Sequence, residues 1–320
     1  MSSPSTDSTP AFSIVIPAYN VAGYIDETIQ SVLRQTVQDW ELIVVDDGST
    51  DDTAERVKAV GDARIRLIRQ ENSGVSVARN TGIAAARGRY VALLDADDLW
   101  APSHLLRAKG YFEAYPKGQW YVGKTSADVK DLDLTATQWD YHEVNYFTGT
   151  GGVLPNSSSV IVSRSLLGDQ PHLFPPGIRY AEDLMAWMRL ACRAPFFGSS
   201  AGVSVYYRVR EGSAMVARPN PRRWDMLEAE RLYPLYDQLV LPEGHEEEAR
   251  HLIHLRFVER WRCVIAETAL KGYEEIVDRR RQWTGPLFSA WVKLFLFLLR
   301  VLVWAFKQPM QHYLNHHRSH

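Results

Sequence analysis

Residues 89–99 read R-Y-V-A-L-L-D-A-D-D-L. A short apolar run, Tyr90 to Leu94, stops at three carboxylates, Asp95, Asp97 and Asp98. The run has the length of a buried strand, and Trp100, Ala101 and Pro102 follow closely. The acids therefore stand at the strand's C-terminal end, the edge where ligands bind in an open parallel α/β sheet. Carboxylates gathered there repel one another unless a cation shares the site. Oxygen ligands alternating along the chain suit a hard divalent ion, Mg2+ or Mn2+, with bound phosphates completing the shell. For this stretch taken alone, the alternative is a solvated strand end leading into a helix cap.

Upstream, residues 12–17 (F-S-I-V-I-P) read as a buried strand stopped by proline. Residues 24–36 follow as a helix with Ile25, Ile29, Val32 and Leu33 along one face. Residues 41–45 (E-L-I-V-V) make a second strand, running into Asp46-Asp47-Gly48-Ser49-Thr50, a turn that opens a helix over 51–60. Residues 64–69 alternate charged and aliphatic side chains as a more exposed third strand would, and a helix over 75–87 leads back to the opening stretch. The β-α-β-α-β-α-β order predicts a parallel sheet with helices on both faces.

Three of these strands end in polar clusters: Ala18-Tyr19-Asn20, Asp46-Asp47, and Asp95-Ala96-Asp97-Asp98. Lying side by side, they would line one crevice, with an aromatic face for a base and carboxylates for ribose hydroxyls, base N–H groups or a metal. No G-x-G-x-x-G follows the first strand and no G-x-x-x-x-G-K-[ST] occurs. The pattern thus speaks against a dinucleotide-dependent dehydrogenase and a P-loop NTPase.

Composition narrows the class further. The 320 residues suffice for one large domain or two modest ones, and 46% hydrophobic with 23% charged residues is ordinary for a globular chain. A formal net charge of −2 argues against a nucleic-acid binder. The two cysteines, Cys192 and Cys263, show no metal-ligand spacing and are expected to be reduced and packed. Residues 1–11 are polar, without the basic and apolar regions of a signal peptide, and are expected to be disordered.

Downstream, residues 117–154 look irregular and carry Trp120, Tyr121, Trp139, Tyr141, Tyr146 and Phe147. Such rings can stack on sugars, but covering a core is the preferred reading. Residues 156–163 read as another strand, and Glu182-Asp183 opens a helix carrying Leu184, Trp187, Met188, Leu190 and Ala191. Acids in a first turn complement the helix dipole whatever else they do. Residues 203–210 (V-S-V-Y-Y-R-V-R) read as a late strand, and 221–282 as helical. Residues 286–306 approach the length of a membrane span but contain Lys293 and Arg300, which with Lys307 form a stripe at seven-residue spacing. A basic stripe opposite Phe, Leu, Val and Trp describes a helix lying in the membrane interface. A packed terminal helix and a true span are the alternatives.

V-I-P-A-Y-N (15–20), S-V-L-R-Q-T (31–36), E-L-I-V-V-D-D-G-S-T-D-D-T (41–53), N-S-G-V-S-V-A-R-N-T-G-I (72–83) and G-R-Y-V-A-L-L-D-A-D-D (88–98) together resemble glycosyltransferase family 2, in order and spacing, over about residues 12–210. The resemblance implies an α/β GT-A (Rossmann-like) fold, with a mostly parallel central sheet flanked by helices and a C-terminal helical extension. It also implies a nucleotide-diphospho-sugar donor (a UDP-sugar before others), a divalent metal, and inversion at the anomeric carbon. Asp95-Ala96-Asp97 matches the family's D-x-D, binding metal and donor ribose, with Asp98 a further candidate ligand. Which of the three acids touches the ion stays open.

By the same resemblance Tyr19, beside Pro17, packs on the nucleobase. Asp47, with Asp46 second, accepts the base N–H, and Arg79 approaches the diphosphate. Asp183 matches the catalytic base, with Glu182 beside it, and Arg208 and Ser213 resemble a Y-R…S segment. Arg260-Trp261 lacks the glutamine of the processive Q-x-x-R-W motif (Phe257 stands there), which favours single addition.

The expected organisation is a disordered 1–11, a nucleotide-sugar half at 12–116 and an acceptor half at 117–215. A helical extension at 216–285, an interface helix at 286–307 and a tail at 308–320 follow. The expected acceptor is a saccharide or lipid-linked saccharide, at the inner face of the membrane on its cytoplasmic side. The rival expectation is a non-catalytic nucleotide-sugar or glycan-binding module on the same fold.

Overall fold

The computed structural model describes residues 9–149, 152–168, 172–178, 182–209, 235 and 238–252. All of them belong to one compact unit, residues 1–218 with 227–256. The second unit, residues 219–226 with 257–320, lies outside the described residues. So do Arg210, Ser213, Arg260-Trp261, Cys263 and the expected interface helix at 286–307.

The first half follows the alternating pattern: β1 (Phe12–Ala18), α1 (Ile25–Leu33), β2 (Trp40–Asp46), α2 (Thr53–Ala59), β3 (Ile65–Arg69), α3 (Val75–Ala85) and β4 (Tyr90–Leu93). These four strands lie parallel in the order β3-β2-β1-β4. Every residue of β2 is buried, as expected of a β-branched run covered on both faces of a parallel sheet. Ala18 pairs with Asp46 and Val15 with Leu93, so the polar ends of β1, β2 and β4 share one edge. α3 is pressed onto β1 at Gly82, where a Cβ would come 2.3 Å from Val15 Cγ1.

Beyond the acids come β5 (Leu99–Trp100), α4 (His104–Ala114), β6 (Trp120–Val122), β7 (Lys124–Ser126), β8 (Tyr141–Asn145), β9 (Val160–Ser163), α5 (Arg164–Leu167), α6 (Glu182–Arg193), β10 (Phe196–Ser200) and β11 (Val203–Tyr206). β9 enters antiparallel between β4 and β6, extending the sheet to β3-β2-β1-β4-β9-β6-β10-β8.

Residues 117–154 are thus less irregular than expected. They hold three strands of three to five residues, too short for alternation to register. Trp120, Tyr121, Tyr146 and Phe147 are buried in the core, as the core-covering reading required. The late strand, β11, joins a separate sheet ordered β5-β11-β7. Arg107 anchors that sheet's turn. Its fully buried guanidinium donates to the Ala201 and Gly202 carbonyls at 2.7 and 3.0 Å and to Asp133 at 2.8 Å.

Candidate active site

At the ends of β1 and β2 the chain builds a turn out of its own side chains. Asn20, at φ 51°, accepts the Thr50 N–H at 2.8 Å and donates its own N–H to Ser49 Oγ at 3.0 Å. Gly48, at φ +77°, passes where a Cβ would lie 2.9 Å from the Asn72 nitrogen. Asp46 is fully buried and accepts from the Ser49 N–H and Arg69 Nε, both at 2.9 Å. It holds the turn, and Asp47 beside it is buried as well.

Asp47 accepts from Gln70 Nε2 at 2.7 Å and from the Ser73 and Gly74 N–H groups at 2.9 Å. Its carboxylate therefore sits at the start of α3, where the helix dipole favours negative charge. Tyr19 stands open at 48% exposure, while Pro17 remains within β1, paired with Val45.

The end of β4 is tied down from two directions. Ser158 Oγ accepts the Asp95 N–H at 3.0 Å and donates to Asp98 Oδ2. Arg208 donates its N–H to Asp98 Oδ1 and its Nε–H to the Asp97 carbonyl, both at 2.8 Å, and its guanidinium reaches Glu27 on α1. Ala96 is buried, its carbonyl accepting from Thr28 Oγ1 at 2.9 Å.

Asp98 is thus wholly buried with both oxygens engaged by the chain. Burial, then the charge of Asp95, pushes its pKa up to about 8. It ties the end of β4 to Ser158 and Arg208. Asp95 and Asp97 are only partly buried.

Arg79 is ion-paired within the chain. Its side chain is 6% exposed and donates to Asp95 at 2.8 Å and to Glu182, 103 residues away, at 3.2 Å. Despite burial, the charges of Asp95 and Glu182 keep its pKa raised. One guanidinium therefore joins the end of β4 to the start of α6. Burial is the largest influence on Glu182 and Asp183 and raises the pKa of both, with Arg79 pulling the other way. Asp183 Oδ1 accepts the N–H of Leu184 at 2.7 Å.

The carboxylates Asp95, Asp97, Glu182 and Asp183 outnumber the cations Arg79 and Arg208 around this edge, and every candidate ligand is an oxygen. Among the described residues no three His, Cys, Asp or Glu side chains form a ready metal cage. That donor set fits a hard divalent ion that takes one or two carboxylates and draws its other ligands from phosphate and water.

Ser158 and Gln70 were not anticipated, because polar residues in a strand entry and a loop carry no motif signal of their own; Asn80 lies within the 72–83 motif, which gave it no role. Arg208 carried only its place in the Y-R segment.

Residues 13–167 match the sequence pattern described as "Glycosyl transferase family 2". Escherichia coli WfaP, a UDP-Glc:alpha-D-GlcNAc-diphosphoundecaprenol beta-1,3-glucosyltransferase, is 32% identical over 208 residues, covering 63% of this chain and 78% of that protein. The chain belongs to glycosyltransferase family 2. Bacillus subtilis EpsJ, an uncharacterized glycosyltransferase, is 53% identical over 91 residues, 28% of this chain, and the match spans only 26% of EpsJ.

Among solved structures, S. aureus TarS 1-349 in complex with UDP-GlcNAc aligns at TM-score 0.64 and 22% identity, over 78% of this chain and 72% of that one. The mannosyltransferase PcManGT from Pyrobaculum calidifontis, in complex with GDP-Man and Mn2+, aligns at TM-score 0.55 and 18% identity, over 94% of this chain and 88% of that one. These likenesses establish the GT-A fold.

Proposed function

We propose that this family 2 chain is an inverting, metal-dependent glycosyltransferase. It moves one sugar from a nucleotide-diphospho-sugar to a hydroxyl of a saccharide, lipid-linked in the first instance. The observation that carries the reading is the Arg79 bridge, which draws Asp95 of the D-x-D and Glu182 of the E-D pair onto one guanidinium. A chain that only bound a nucleotide sugar would have no chemical use for a second acidic pair held against the donor edge.

Each residue then has a task. Tyr19 offers an exposed ring for the base. Asp47 Oδ2 accepts one bond from the chain and keeps lone-pair capacity for a base N–H. Asp97, with Asp95, would hold the divalent ion. Bound there, that ion would act as a Lewis acid on the diphosphate as the leaving group gathers charge. Asp183 takes the proton of the acceptor hydroxyl as it attacks the anomeric carbon. A single displacement from that side inverts configuration. Glu182 is spent on Arg79, so its part is to hold the bridge.

The donors in the relatives' names, UDP-Glc for WfaP and UDP-GlcNAc for TarS, make UDP-sugars the first to try, with GDP-Man next. The WfaP name also supports a diphospho-lipid-linked sugar as acceptor. The test is transfer from a panel of these donors with Mn2+ or Mg2+ and with EDTA. Transfer that requires the metal and is abolished in Asp97→Ala is expected; metal-independent transfer, or wild-type rates in Asp97→Ala, would overturn the assignment.

A further inference from the structure

Residues 79, 80 and 81 are consecutive on α3, and successive helical positions face directions about 100° apart. Each meets a different part of the site. Arg79 takes Asp95 and Glu182. Asn80, itself buried, donates Nδ2–H to the Phe174 carbonyl at 2.7 Å and accepts the Phe174 N–H at Oδ1 at 3.0 Å. Thr81 donates to Gln70 Oε1 at 2.8 Å, and Gln70 Nε2 in turn donates to Asp47 at 2.7 Å.

Phe174 is fully buried, edge-on to Trp187 of α6 with ring centroids 5.7 Å apart, and lies 5.0 Å below the Arg79 guanidinium. One amide side chain thus saturates both backbone groups of a residue that packs on the helix opened by Glu182-Asp183. Asparagine is a poor choice for a helix interior on propensity alone. A primary amide is nevertheless the one side-chain group that offers a donor and an acceptor at the spacing of a peptide's own pair.

We propose that Asn80 is a positioning residue for the transfer step. Acting through Phe174 and Trp187, it fixes the start of α6, and with it Asp183, against the donor edge. Thr81 is its counterpart on the donor side, acting through Gln70 on Asp47. The inference rests on the transferase reading given above. It goes beyond that reading in assigning the two halves of the site to neighbouring residues of one helix.

The distinction is kinetic. A displaced base loses rate, since a misplacement of about 1 Å can cost about 100-fold. A slackened base-reading turn loses donor affinity instead. Asn80→Asp keeps the shape but sets a carboxylate against the Phe174 carbonyl, while Thr81→Val removes one donor from a side chain of the same shape.

With the best donor of the UDP- and GDP-sugar panel and Mn2+, Asn80→Asp is expected to lower kcat about tenfold or more while donor KM stays within about threefold. Thr81→Val is expected to raise donor KM more than it lowers kcat. Hydrogen exchange is read on the same proteins. Asn80→Asp keeps an acceptor for the Phe174 N–H and loses only the bond to its carbonyl, so exchange should speed over the first turns of α6 and stay unchanged at residues 46–50.

A kcat within twofold of wild type in Asn80→Asp, a proportionate rise in KM, or unchanged exchange over the first turns of α6 would overturn the proposal. If wild type transfers no sugar from any donor, the transferase reading falls. The exchange measurement then still decides whether Asn80 holds Phe174 and the start of α6.

Discussion

Asp183 lies in the first turn of a helix whose partial positive charge favours the carboxylate, beside an arginine that favours it too, yet burial dominates and raises its pKa. A base must be ionised to accept a proton. The rate therefore falls as pH drops through the Asp183 pKa, and a raised value moves that limb up from an ordinary aspartate's 3.8. A pH profile of kcat/KM for donor transfer should show an acidic limb displaced upward from that of an ordinary aspartate. A limb with no upward displacement would contradict the proposed placement of the base. Asp98 shows the contrast between neighbours of one residue type. Its pKa is raised as well, but with both oxygens engaged inside the chain it has no path to an acceptor hydroxyl.

Among the elements, α3 organises the site: Asp47 meets its first turn, Gly82 seats it on β1, and residues 79–81 reach outward from it. A methyl group at Gly82 has no room, since the nearest atom belongs to a fully buried valine on a central strand. Gly82→Ala should therefore cost about 1–3 kcal/mol of stability by overpacking, read as a lower denaturant midpoint. An unchanged midpoint would show that β1 yields easily.

The strands that carry the site were legible because each is an apolar run ending abruptly in polar residues, acids in two of the three. Glu182-Asp183 was legible as the start of an amphipathic helix. The cross-links were not. Arg79 and Glu182 are separated by 103 residues, and no local pattern in A-R-N-T-G tells a bridging arginine from one that meets a phosphate. Strands β6, β7 and β8 escaped for the opposite reason, being too short to establish a period.

At the scale of the whole molecule, the described residues contain no helix long and apolar enough to cross a membrane. The basic-striped segment at 286–306 lies outside them. We propose that this segment attaches the enzyme to a membrane surface, where a lipid-linked acceptor would be presented. Deleting residues 286–320 is expected to abolish sedimentation with anionic liposomes, and unchanged sedimentation would remove the segment from the account.

The central claim is that one chain brings a donor edge and a base together for a single displacement. Its most direct test is transfer by Asp183→Asn beside wild type, with UDP binding in Mn2+ measured on both. The account predicts that turnover falls by about 100-fold or more, the scale of a lost general base, while UDP affinity holds. Turnover within twofold of wild type would contradict it.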